Sequence, residues 1–163
     1  KALQEAVVDG EVQVIATDHC AFTREQKLSS SDCRTIYPGI PGTEEMFSLL
    51  NTFRAEANGH SGKDVLPFTK LVELMSANPA KLFGLYPNKG SFEIGTDADI
   101  VLFDPSMKWT LDDSNVHSAS LYTPYRGFDV QGRAVMTILR GNVIMEKGEY
   151  HGVPGQGRFL RQC

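Results

Sequence analysis

The chain has 163 residues, 41% of them hydrophobic and 22% charged, with a formal net charge of −4 at pH 7. That balance is ordinary for a globular domain and excludes a chain disordered throughout. No apolar run approaches the roughly 20 residues that a membrane-spanning helix needs, and no basic stripe marks a nucleic-acid surface.

The elements alternate between helix and strand in the first half. Residues 1–9 read as the end of a helix, stopped by Asp9-Gly10. Val12-Gln13-Val14-Ile15-Ala16 is a short apolar run, expected as a buried strand. A loop from Thr17 to about Gly42 follows, rich in Ser, Pro, Gly and Asp. It exceeds the roughly 12–15 residues beyond which an unstructured connection is usually functional or disordered. Met46, Phe47, Leu49, Leu50, Phe53 and Ala57 then fall on one helical face. Thr43 is the cap candidate, Glu44 and Glu45 oppose the helix dipole, and Asn58-Gly59 is the expected end. A second helix carries Phe68, Leu71, Val72, Leu74 and Met75 behind Pro67; a third has Asn78 as cap, Pro79 in its first turn and Gly84 as its stop.

After Gly84 the period changes to that of strands. Ile100–Phe103 is one, bounded by Gly95-Thr96-Asp97 and Asp104-Pro105. Val135–Leu139 and Val143–Met145 form a hairpin around Arg140-Gly141-Asn142, with Gly-Asn as its turn signal. The organisation is therefore α/β over residues 1–86, a small β-rich region over 87–150 and an extended tail over 151–163. One βα unit cannot cover both faces of a parallel strand. With Lys1 in place of an initiator Met, and no charged start followed by an apolar stretch, the expectation is the C-terminal piece of a longer protein without a signal peptide. Three cysteines, Cys20, Cys33 and Cys163, make no disulfide framework and point to a reducing cytoplasm.

The chemistry is concentrated in Thr17-Asp18-His19-Cys20-Ala21-Phe22, directly after the apolar run. The C-terminal end of a parallel strand is where α/β sheets and barrels place their ligands. A carboxylate there can bind a metal and take a proton from activated water; by pattern alone, capping of the loop by Asp18 is an equal alternative. His60, His117 and His151 form no ligand pair and read as surface or packing residues, and Cys20 and Cys33 as buried inert thiols. Tyr37-Pro38-Gly39-Ile40-Pro41-Gly42 offers main chain beside the strand end, though by pattern alone a plain turn leading to a capped helix is the preferred explanation. Asp97 and Asp99 read as turn residues rather than a paired-carboxylate site.

Four segments together resemble the cyclic amidohydrolases, most closely the hydantoinase/dihydropyrimidinase group: Thr17–Phe22, Gly39–Glu44, Asn78–Leu85 and Gly95–Val101. The closing hairpin, Thr137–Val143, is also similar. The resemblance implies the last βα unit of a metal-dependent (β/α)8 barrel plus the C-terminal part of a small β-sandwich. It implies a binuclear divalent metal centre, with zinc as the expected ion. Asp18 becomes a metal ligand that shuttles a proton from the bridging hydroxide to the leaving nitrogen, with Pro38 and Gly39 as substrate-binding positions. The other family ligands, a His-x-His pair, a carboxylated lysine and two later histidines, have no counterpart in the chain. The expectation is therefore that the isolated chain is inactive, and that the complete protein is a cytoplasmic homotetramer acting on a small cyclic amide.

Phe22 departs from dihydroorotases, which resemble this segment but tend to carry His there. Pro38 departs from dihydropyrimidinases, which tend to carry Asn there, because proline has no N–H to offer a substrate. Gly39-Ile40-Pro41-Gly42 is similar to allantoinases, which makes an allantoinase-type enzyme the alternative within the class. Outside it stand a non-catalytic scaffold relative, against which the retained Asp18 argues, and an independent short protein.

Overall fold

A computed structural model describes residues 2–161. In chain order it holds α1 (Ala2–Val8), α2 (Arg24–Lys27), α3 (Met46–Ser61), α4 (Phe68–Val72), a π-helical turn (Glu73–Ala77), α5 (Asn78–Leu82), β1 (Ile100–Thr110), a 3-10 turn (Asp113–Asn115), β2 (Asp129–Leu139), β3 (Asn142–Glu146) and β4 (Glu149–Tyr150). The strands form one antiparallel sheet in the order β1-β2-β3-β4. Among the described residues no helix is long and apolar enough to cross a membrane.

The main apolar cluster joins Val7 of α1 to Leu66, Leu71 and Leu74, with Val12, Ile15, Phe47, Leu50 and Phe53 packed against it. The face expected on α3 is thus partly the face it buries. Val12–Ala16 passes through this core but joins no ladder, contrary to the strand expected there. A strand exists by pairing, and the chain's strands lie in a different layer; Ile15 instead gives its N–H to the Leu74 carbonyl at 3.2 Å. The sandwich likewise is present as a single sheet. Val101 and Leu102 of β1 remain 56% and 46% exposed, and Phe92 and Ile94 just before it are exposed as well.

Several boundaries shift for local reasons. The helix α3 passes through Asn58-Gly59 and ends on Gly62 at φ 63°, the left-handed conformation that glycine adopts without strain. Thr43 does not cap it; the preceding residue is Glu45, in helical conformation and without a side-chain cap. The two helices expected after Pro67 are one continuous run through the π turn. Asn78 is helical rather than capping, and its side chain donates to the Gln13 carbonyl at 2.8 Å. The strand β1 continues through Asp104-Pro105 by means of a bulge between Asp104 and Lys108. The β2–β3 turn is Arg140-Gly141, not Gly-Asn: their φ values of 45° and 80° are both positive, and Leu139 pairs with Asn142.

Polar side chains of α3 dock the helix onto the sheet. Asn51, fully buried, donates to the carbonyls of Pro105 at 3.1 Å and Gln131 at 2.7 Å, and accepts from Arg54 Nε. The Thr52 hydroxyl accepts the Gln131 N–H at 2.8 Å. Beside them Gly132 sits at φ 99°, and a Cβ there would stand 2.3 Å from the Phe103 ring. Phe47, Phe68 and Phe103 complete the joint, with centroids 4.5–5.8 Å apart.

Candidate active site

Asp18 follows the core segment directly and is exposed, with φ at 49°. Aspartate is one of the few residues that enter the left-handed region at modest cost. Its carboxylate makes no hydrogen bond or ion pair among the described residues, although its neighbours are all engaged. The Thr17 hydroxyl accepts the His19 N–H at 3.2 Å. His19 Nδ1 accepts the N–H groups of Gly42 at 3.1 Å and Thr43 at 3.4 Å, which assigns the neutral ring's proton to Nε2. Cys20 gives its N–H to the Ile40 carbonyl at 3.0 Å. The backbone around Asp18 is therefore fixed while its side chain is left free, so Asp18 caps nothing.

The same bonds bring the two expected site segments together, 17–22 on one side and 37–43 on the other. Gly39 lies at φ 110° so close to Cys20 that a Cβ would stand 2.4 Å from the cysteine's own. The Phe22 and Tyr37 rings meet at 5.0 Å. The loop from Thr17 to Gly42 is thus ordered, and it holds a helix that the sequence reading passed over, α2. Its signal is legible: Thr23 and Gln26 form a reciprocal capping box, with bonds of 3.2 Å and 2.8 Å. Lys27, the last residue of α2, donates to the carbonyls of Tyr37 at 2.5 Å and Gly39 at 3.0 Å.

Other candidates resolve differently. Cys20 is half-buried, but Cys33 is exposed rather than buried, because residues 30–35 turn over the surface on Ser30, Asp32 and Thr35 bonds with no apolar cover. Cys163 lies outside the described residues. His60, His117 and His151 are all exposed, and His117 is also bound by Glu44: the carboxylate accepts both the His117 N–H at 2.6 Å and its Nδ1–H at 2.7 Å. That hydrogen bond and the adjacent charge raise the His117 pKa above its ordinary value. Asp97 and Asp99 lie just past the Ile94-Gly95 turn rather than in it, and both pair with Lys89, Asp97 at 2.7 Å. Burial works against ionisation of Asp99, but the Lys89 bond and the Arg140 N–H hold its pKa below the usual carboxylate value.

No group of three or more His, Cys, Asp or Glu side chains that could hold a metal occurs among the described residues. The chain does not fit a metal by itself. Asp18, a carboxylate without a hydrogen bond or ion pair among the described residues, offers one donor group where a metal site needs three or four.

Against known proteins, the Amidohydrolase family profile matches residues 1–144. The chain belongs to the amidohydrolase family. Within it the chain is hydantoinase/dihydropyrimidinase-like. It is 35% identical over 162 residues to a D-hydantoinase of Ralstonia pickettii and 39% identical over 158 residues to a D-phenylhydantoinase of Escherichia coli K12. These alignments cover 98% and 96% of this chain, but only 34% and 33% of the relatives. The solved structure of a D-hydantoinase (dihydropyrimidinase) from Thermus sp. superposes with a TM-score of 0.86 at 34% identity, covering 99% of this chain and 34% of that one.

Proposed function

We propose that this chain is the C-terminal portion of a metal-dependent hydrolase of cyclic amide bonds, hydantoinase-like in its chemistry. The observation that carries the reading is the free Asp18 carboxylate, held by its backbone at the end of the core segment. A carboxylate with no hydrogen bond or ion pair among the described residues, between Thr17 and His19 that are both engaged, is available for chemistry. The relatives' names, D-hydantoinase and D-phenylhydantoinase, support cyclic amides as the substrate class. The remaining metal ligands, and the neighbours that would pair with Val12–Ala16 and cover β1, are assigned to parts of the protein outside this chain.

When bound, a divalent metal pair, zinc by resemblance, supplies Lewis acidity and lowers the pKa of water. Asp18 takes the proton released as water adds to the ring carbonyl and returns it to the nitrogen as the ring C–N bond breaks, so it ends ionised as it began. Pro38 and Gly39 are proposed to face the ring. The Pro38 carbonyl and the N–H groups of Gly39 and Ile40 make no hydrogen bond among the described residues, which leaves an acceptor beside two donors for an amide edge. The missing Pro38 N–H moves donation to the next residues. By the same resemblance the complete protein is a cytoplasmic homotetramer.

The test is to assay the complete, metal-loaded protein on hydantoin, dihydrouracil and allantoin, with metal analysis alongside. Hydrolysis of hydantoin or dihydrouracil with bound metal is the expected result. Allantoin as the preferred ring would move the assignment to an allantoinase-type enzyme. A metal-free protein that turns over none of the three is a scaffold relative, and the reading fails. The isolated 163-residue chain is expected to hydrolyse none of them.

A further inference from the structure

Lys27 uses its charge in an unusual way. Among the described residues its ammonium pairs with no carboxylate and bonds only main-chain carbonyls, those of Tyr37 and Gly39. These residues flank Pro38, so one cation holds the chain on both sides of the position assigned to the substrate. Two carbonyl dipoles turned toward one point repel each other unless a positive charge lies between them. Gly39, at φ 110° and without a side chain, has no rotamer or Cβ of its own to hold its carbonyl in place.

The platform that carries Lys27 is itself tied down. The Thr23–Gln26 capping box closes the start of α2. Arg24 reaches Asp113 at 2.9 Å and lies over the Tyr122 ring at 5.3 Å, both beyond β1. Asp113 in turn accepts the Thr123 N–H at 3.1 Å. A continuous set of bonds thus runs from the segment after β1, through α2, to the Pro38–Gly39 loop.

We propose that Lys27 is a positioning residue, anchored through Arg24 and Asp113, that sets the Pro38–Gly39 loop for binding the amide edge of the substrate. This rests on the cyclic-amide reading above. Lys27 holds the receiving surface and takes no part in proton transfer, so its loss acts on substrate binding rather than on turnover.

The experiment compares K27M and K27R with wild type in the complete protein. Loss of the paired charge-assisted bonds is expected to raise KM about tenfold in K27M, with kcat within about threefold of wild type. Metal content and thermal midpoint should stay unchanged, and K27R should recover most of the loss. An unchanged KM overturns the proposal. So does a KM rise that comes with lost metal or a matching loss of stability, because that marks a merely structural residue. If wild type hydrolyses no cyclic amide, the functional reading fails separately, and amide hydrogen exchange still tests the anchor. Faster exchange in K27M confined to Gly39 and Ile40 supports it; exchange identical to wild type removes it.

Discussion

The Glu44 carboxylate grips His117 twice, through the backbone N–H at 2.6 Å and through the ring at 2.7 Å. Glu44 stands just before α3 and His117 in the segment joining β1 to β2, so the pair links the helical part to the sheet. The other side of the imidazole faces the Gly148 carbonyl at 3.2 Å, and the positive charge of Arg133 opposes protonation from β2.

The net effect raises the His117 pKa in the folded state, first through the Glu44 bond. The stabilisation is therefore complete below the ordinary histidine value near 6.5 and is lost as pH rises through the folded value. The His117 side chain is 57% exposed, so solvent screening limits the effect to under about 1 kcal/mol. Thermal unfolding of H117A against wild type, scanned from pH 5.5 to about 9, should show the larger difference at the acid end, shrinking in high salt. A difference that grows with pH would contradict the pairing.

Asn51 is expected to be among the costliest polar positions to truncate. Replacing it with alanine strips the carbonyls of Pro105 and Gln131 of a buried donor and opens a cavity at the helix–sheet joint. The expected cost is about 2–4 kcal/mol, read as a lower denaturant midpoint with an unchanged slope.

Lys89 is 17% exposed and neutralises both Asp97 and Asp99. K89M leaves two carboxylates facing each other with no cation between them. It should destabilise the protein by about 1–3 kcal/mol at neutral pH. The deficit should narrow on acidification, because protonating Asp99 removes the stranded charge; equal deficits at pH 4 and pH 7 would rule out this cause.

Asp18 should separate function from stability. Its side chain makes no hydrogen bond or ion pair among the described residues, and asparagine tolerates the same left-handed backbone. D18N should therefore keep its melting behaviour within about 0.5 kcal/mol of wild type. In the complete, metal-loaded protein it should lose metal and at least about a hundredfold in turnover on the cyclic amide. Unaltered metal binding and turnover in D18N would remove Asp18 from the proposed mechanism.

What the sequence revealed, and what it hid, follows from the range of the interactions concerned. The apolar periodicity of Phe47, Leu50 and Phe53 depends on local spacing, and it located α3 and part of its packed face; the α3 residues buried outright, Ser48 and Asn51, are polar and add nothing to that pattern. Asp18 stood out because it follows an apolar run, a relation between neighbours in the chain. The position of Lys27 depends on carbonyls 10 and 12 residues away, and that of His117 on a carboxylate 73 residues away; neither leaves a trace in spacing. The helix α2 was within reach, since its capping box is a local pattern, but four residues add too little periodicity to show. Val12–Ala16 has the composition of a strand and no ladder, because pairing is a property of neighbours rather than of the segment.

A hairpin tip is ordinarily the first place to insert a tag or a reporter, since little depends on it. The Arg140-Gly141 turn is the wrong choice here. Arg140 gives its N–H to Asp99 at 2.7 Å and its guanidinium to the Gln156 carbonyl, while Gly141 gives its N–H to Ala98 at 3.0 Å. The turn fastens the approach to β1 and the C-terminal tail at one point. A label placed there cuts two remote parts of the chain loose at once, whereas the exposed Gly62-Lys63 corner after α3 can carry the same cargo without disturbing the sheet.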